Sequence, residues 1–116
     1  MKLLTVLSLF IFLILASLAV FAVAQLTVIP TTVNAGNPIT IYVAPDAAGV
    51  YKYAYIYRDN AYKAYAVFPC SSFKCNLSTN TTFKIPANWV NSDKYNVRVY
   101  DYSTKKYTTA YFTVIG

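Results

Sequence analysis

Catalysis needs acids, bases or nucleophiles at workable spacing, and this sequence supplies few of them. It contains no His and no Glu, and its only acids are Asp46, Asp59, Asp93 and Asp101, which fall in turns or at strand ends. No two are spaced as a general acid–base pair, no Ser or Cys has a His to activate it, and no glycine-rich run is present to cradle a phosphate. Asp93 and Asp101 also lack the ligand-dense loop that calcium requires. The residues point away from an enzyme, and no catalytic residue, metal or cofactor is assigned.

Three other chemistries are present. Cys70 and Cys75 enclose only Ser71-Ser72-Phe73-Lys74. Two Cys without His fall short of the four tetrahedral ligands of zinc, and the spacing is not that of a Cys-x-x-Cys redox pair. A disulfide is the remaining use, and closing so short a loop is worth about 2 kcal/mol in the chain-entropy model. Asn76-Leu77-Ser78 and Asn80-Thr81-Thr82 are N-glycosylation sequons, with Asn76 and Asn80 as acceptors. Tyrosine is the third resource, at twelve residues. Its ring stacks on sugars or packs against a neighbouring protein, while its hydroxyl keeps a polar partner.

The elements that position these groups read as strands. Asp93 to Asp101 alternates, with Tyr95, Val97 and Val99 on one face and Asn96, Arg98 and Tyr100 on the other, a core face and a solvated face. In Lys106 to Ile115, Ala110, Phe112 and Val114 form the core face and Tyr107, Thr109, Tyr111 and Thr113 point out. Ile39, Ile41 and Val43 alternate with Thr40 and Tyr42, and Gln25 to Ile29 is a short strand stopped by Pro30, which suits a sheet edge. Thr81 to Ile85 is another short strand, and Trp89 is placed to plug the end of the core.

Val50–Arg58 and Ala61–Phe68 flank Asp59-Asn60, a pair that tolerates a hairpin turn. Counting from that turn sets Tyr57 opposite Tyr62, Tyr55 opposite Ala64, Tyr53 opposite Ala66 and Tyr51 opposite Phe68. The other face carries Lys52, Arg58 and Lys63, and an unpaired buried charge costs more than a buried phenol. Tyr51, Tyr53, Tyr55 and Tyr57 are therefore expected in the core. The outer face would then show Lys52, Arg58, Lys63 and Arg98 beside Tyr65, Tyr100, Tyr107 and Tyr111, an aromatic and basic partner-binding surface.

After Lys2, the run Leu3 to Ala24 has no charge. As a helix it is long enough to cross a bilayer, while Ala22-Val23-Ala24 before Gln25 is the small-residue pattern of signal-peptide cleavage. Residues 1–24 are thus a removed signal peptide or a retained membrane anchor, and either sends 25–116 to the cell surface or beyond. Setting Lys2 aside leaves +5 of the formal +6, a mildly basic domain for which export makes nucleic acid an unattractive partner.

Two stretches resemble a known family. Asp93, Tyr95 and Val97 are placed like the tyrosine corner of immunoglobulin-like sandwiches, and Pro30 through Gly36 to Ile39-Thr40-Ile41 looks like the opening of Ig-like domains in prokaryotic surface proteins. The resemblance implies that the Tyr95 hydroxyl bonds back across the end of the sandwich. The inter-sheet Cys pair is absent, its places taken by residues such as Ile41 and Val97, and no Trp lies on the hairpin strand, so no antigen-receptor reading follows. The expected fold is all-β: one Ig-like antiparallel sandwich of about seven strands, 25–116, after the N-terminal helix.

A short chain of export signal plus sandwich suits a structural or adhesive subunit used in many copies, as coat, filament or attachment protein of an envelope or virion. Its partners would be other copies or envelope proteins, with Gln25–Ile29 or Lys106–Ile115 available for strand donation if unpaired. The alternative is a secreted or membrane-anchored module that binds a carbohydrate or a protein.

Overall fold

In the computed structural model, residues 23–45 and 48–116 are described, and the helix expected before Gln25 lies outside them except for its last two residues. The described chain is all-β and contains no helix. Its strands are β1 (Gln25–Ile29), β2 (Thr32–Asn34), β3 (Pro38–Ala44), β4 (Val50–Tyr51), β5 (Tyr53–Arg58), β6 (Ala61–Val67), β7 (Lys74–Cys75), β8 (Thr79–Lys84), β9 (Ser92–Asp101) and β10 (Lys106–Ile115).

They form two sheets. The smaller has the order β1-β3-β8, antiparallel throughout. The larger runs β2-β10-β9-β4-β7, with β5 also paired to β9 and β6 beyond it. β2 is parallel to β10, and the other pairs are antiparallel. The chain therefore starts in one sheet as β1 and crosses to the other as β2, through a cis Ile29–Pro30 bond. β4 and β5 follow one another along β9, interrupted at Lys52, whose N–H donates to the Phe73 carbonyl at 3.0 Å and whose carbonyl accepts from the Phe68 N–H at 2.7 Å.

Strict alternation on the long strands builds one core between the sheets. Ile39, Ile41 and Val43 of β3 meet Tyr95, Val97 and Val99 of β9 and Phe112 and Val114 of β10, all buried in a single cluster. At one end Tyr95 stacks on Trp89, with centroids 5.1 Å apart and rings within 2° of parallel, and its hydroxyl donates to the Val90 carbonyl at 2.9 Å. A partly buried Trp89 also meets Phe83 at 5.8 Å.

The hairpin corrects the expected orientation. Tyr57 does face Tyr62, but the register then shifts, and Tyr55 pairs with Tyr65, Ala54 with Ala66 and Tyr53 with Val67. Lys63 is the extra residue of a bulge. Ala54, Ile56, Ala66 and Phe68 take the core, while Tyr51, Tyr53, Tyr55 and Tyr57 point outward. Charge did not force the opposite choice because each cation escapes burial locally: Lys52 at the strand break, Arg58 at the strand end, Lys63 on the exposed bulge. Four inward phenols would each need a hydrogen-bond partner, whereas Ala and Ile need none.

Cys70 and Cys75 form a disulfide, with Cα atoms 5.6 Å apart, that staples β7 beside β4. Gly49 lets these strands close up: at φ 84°, a Cβ there would sit 2.6 Å from the Cys75 carbonyl oxygen. At the chain's entry, Ala24 is buried and its N–H donates 2.8 Å to the carboxylate of Asp101, so a cut after Ala24 removes that donor.

Candidate functional site

The outer face of the large sheet is assembled by register. Tyr65, Tyr55, Arg98 and Thr109 lie in one row across β6, β5, β9 and β10, and Tyr62, Tyr57, Asn96 and Tyr111 lie in the next. Tyr100 faces Tyr107 further along. The pairing of β5 with β9 turns its tyrosines to this side and the bulge brings Tyr62 and Tyr65 to it together, so they join those of β9 and β10 expected here, and the rings touch in two groups. In one, Tyr53 meets Tyr65 at 5.9 Å edge-on, and Tyr62 meets Tyr57 at 5.8 Å. In the other, Tyr51 lies 4.8 Å from Tyr102, and Tyr100 lies 5.4 Å from Tyr51 and 5.6 Å from Tyr107. Such edge-to-face and tilted contacts are worth about 0.5–1.5 kcal/mol each beyond buried area, so the tyrosines hold one another in place.

Arg98, expected to reach a partner, is turned to internal work. Its guanidinium lies 4.0 Å from the centroid of the Tyr57 ring. Nε donates to Asn96 Oδ1 at 2.8 Å, and Nη2 donates to the Asp59 carbonyl at 2.8 Å and Asn60 Oδ1 at 3.0 Å. Asn96 is buried rather than solvated, its Nδ2 donating to the carbonyls of Asp59 at 3.0 Å and Lys94 at 3.2 Å. Together they clamp the hairpin turn to β9. Lys52 sits against Tyr53 and Phe73, 5.8 Å from each ring, and Lys63 is exposed on its bulge, whereas Arg58, also expected on this face, pairs in register with Tyr95 on the side of β5 that Ile56 shares and so leaves the face.

Around the Arg98 guanidinium the face is phenol. Partial loss of water raises the Tyr55 hydroxyl first, and the nearby Tyr107, Tyr53, Tyr62 and Tyr57 raise it further, since each phenolate would repel the next. Tyr102 is pushed up to about 12 by desolvation, then by its hydrogen bond with Tyr51 and by repulsion from Tyr51 and Tyr100. A phenol with a raised folded value keeps its proton when the unfolded chain has lost it. The stability it contributes is therefore complete below pH 10.0 and falls as pH rises toward about 12. Alkaline denaturation with phenolate absorbance checks this. Tyr102→Phe should flatten the decline, and an unchanged slope would sink the assignment.

The opposite face belongs to β1, β3 and β8. There Thr27, Tyr42 and Asn80 form a row across three strands, beside a groove of about 260 Å³. Asn80 and Thr82 are both exposed on β8, and Asn76 is exposed in the loop after β7. The terminal strands are paired within the domain: β1 along its whole length to β3, and β10 to β9 and, at its end, to β2. Neither is free for donation as a whole strand.

Sequence reasoning missed Tyr51, Tyr53, Tyr55, Tyr57, Tyr62 and Tyr102 as members of the outer face. The regular Tyr-x-Tyr-x-Tyr-x-Tyr spacing marked a common side but not which one. No protein-family model matches the chain, and no curated protein matches it.

Proposed function

We propose that the chain is an exported, non-enzymatic structural or adhesive protein, an immunoglobulin-like sandwich whose tyrosine face packs against neighbouring copies in a coat, filament or attachment structure. The observation that carries this is the composition of the face: interlocked tyrosines at the centre with lysines at the rim. Stable protein interfaces have that anatomy, aromatic inside and charged outside, and tyrosine orders at small entropic cost. Arg98 keeps its positive charge, because its acceptors are neutral, but its donors are directed at Asn96 and the hairpin turn rather than outward.

The sandwich reading draws support from two sheets around one core, from a first strand split between them and from the inward bond of Tyr95. The export reading draws support from the uncharged run Leu3 to Ala24 after Lys2 and from the disulfide, which an oxidising compartment sustains.

Sedimentation and negative-stain imaging of the oxidised protein across a concentration series test the assembly. Oligomers or filaments are expected. Tyr65→Ser and Tyr107→Ser, at residues 54% and 57% exposed, should each weaken association about tenfold without loss of fold. Association that survives both changes would discard the face. A monomer at every concentration would move the tyrosines to the alternative role, in a secreted or membrane-anchored module that stacks on a carbohydrate or binds a protein.

A further inference from the structure

We propose that Asn80, and not Asn76, is the glycosylated asparagine, and that its first sugars lie along the outer face of the small sheet against Tyr42. The inference rests on the export proposed above and is independent of the tyrosine face.

The two sequons differ in setting. Asn80 and Thr82 alternate on β8, so both project from the same side of the strand, and both are exposed. Acceptor amide and hydroxyl are therefore presented together. Asn76 is also exposed, but its Oδ1 lies where a Cβ on Gly49 would be only 2.9 Å away, so its carboxamide rests against the Gly49 backbone beside the disulfide. Asn76 also borders a groove, of about 360 Å³, but no aromatic ring lines it, so a sugar there has no flat surface to stack on.

What lies next to Asn80 fits a sugar. Its register partner on β3 is Tyr42, 43% exposed, followed on β1 by Thr27. Gln25, Val43, Ala44, Ser78 and Thr79 complete the lining of the groove of about 260 Å³ at this place. A flat phenol with hydroxyl and carboxamide groups around it matches a pyranose, which has an apolar C–H face and polar edges. In the transfer, Asn80 Nδ2 attacks the anomeric carbon of a polyprenyl-phosphate-linked oligosaccharide. The carbon–nitrogen bond forms, the carbon–oxygen bond to phosphate breaks, the lipid phosphate leaves with the electron pair, and one amide proton is released to base. No redox change is involved. The two faces then divide the work: the glycan covers the small sheet, and the tyrosine sheet stays bare for neighbours.

Glycopeptide mass spectrometry of the full chain from its own source tests this. A glycan is expected on Asn80, lost completely in Asn80→Gln and Thr82→Ala and kept in Asn76→Gln. Enzymatic removal of the glycan should lower Tm in the native protein but not in Tyr42→Ala. A bare Asn80, or a glycan confined to Asn76, overturns the proposal; a Tm indifferent to deglycosylation in the native protein overturns the packing on Tyr42. Thiol labelling separates the two causes of a bare Asn80: an intact Cys70–Cys75 disulfide leaves export standing, whereas free thiols remove export as well.

Discussion

Ile56→Ala should cost about 2–5 kcal/mol of unfolding free energy, while Tyr55→Ala, its neighbour on β5, should cost only about 1 kcal/mol. Ile56 is fully buried among Val97 and the rest of the core, so truncation leaves a cavity as well as losing transfer energy. Tyr55 is half-buried on the other side, and its ring gives up contacts with other tyrosines rather than with the core. Chemical denaturation of the two variants reads the difference directly. Equal losses, or a larger loss at Tyr55, would restore the inward-facing tyrosines and remove the outer aromatic surface with them. Because the assembly proposal depends on that surface, this is the measurement with the widest consequence.

The second large effect is expected at Asp101→Asn, at about 3 kcal/mol. Asp101 is fully buried at the end of β9. Its Oδ2 accepts the Ala24 N–H at 2.8 Å, and its Oδ1 accepts the Ser103 N–H at 2.9 Å and the Ser103 hydroxyl at 2.7 Å. Burial pushes the carboxyl up, but the donors of Ala24, Ser103 and Thr104 outweigh it and hold it below the usual 3.8. The amide of Asn keeps the shape yet must aim an N–H at one of these donors, whichever way it is flipped. A depressed carboxyl contributes stability that is complete above pH 3.8 and disappears as pH falls through the folded value. The native protein should therefore lose its advantage over Asp101→Asn in acid, and denaturation curves that stay parallel down to low pH would sink this account. In a chain that keeps Ala24, the bond also ties the residue before β1 to β9 across 77 residues of sequence, so there the variant should expose the first strand to proteolysis.

Some of this was legible in the residues. β3, β9 and β10 alternate strongly apolar with polar or tyrosine residues, and only one choice of inward face keeps Ile39, Val97 and Phe112 from water. The absence of His and Glu, the spacing of the two cysteines and the sequons are chemistry that folding does not alter. The position of Tyr95 was readable for the same reason, since it shares its face with Val97 and Val99.

Other features depended on contacts that no local pattern records. Tyrosine is amphipathic, so a strand with Tyr on one side and Ala, Ile, Lys and Arg on the other satisfies either orientation locally. The bulge at Lys63 and the break at Lys52 settled it, by letting cations reach water while Ala54 and Ile56 filled the narrow space between sheets. Asn96 and Asp101 looked like ordinary polar strand residues because their partners Asp59 and Ala24 are 37 and 77 residues away. The sequence by itself determined the long strands β3, β9 and β10, the disulfide-compatible spacing and the absence of His and Glu, because these follow from residue type and short-range periodicity. About seven strands were expected and ten are described, with β2 and β7 unforeseen and Val50–Arg58 broken at Lys52. Only the tertiary structure decided which face the tyrosines occupy and which polar groups are buried, because both depend on space and hydrogen-bond partners supplied by distant segments.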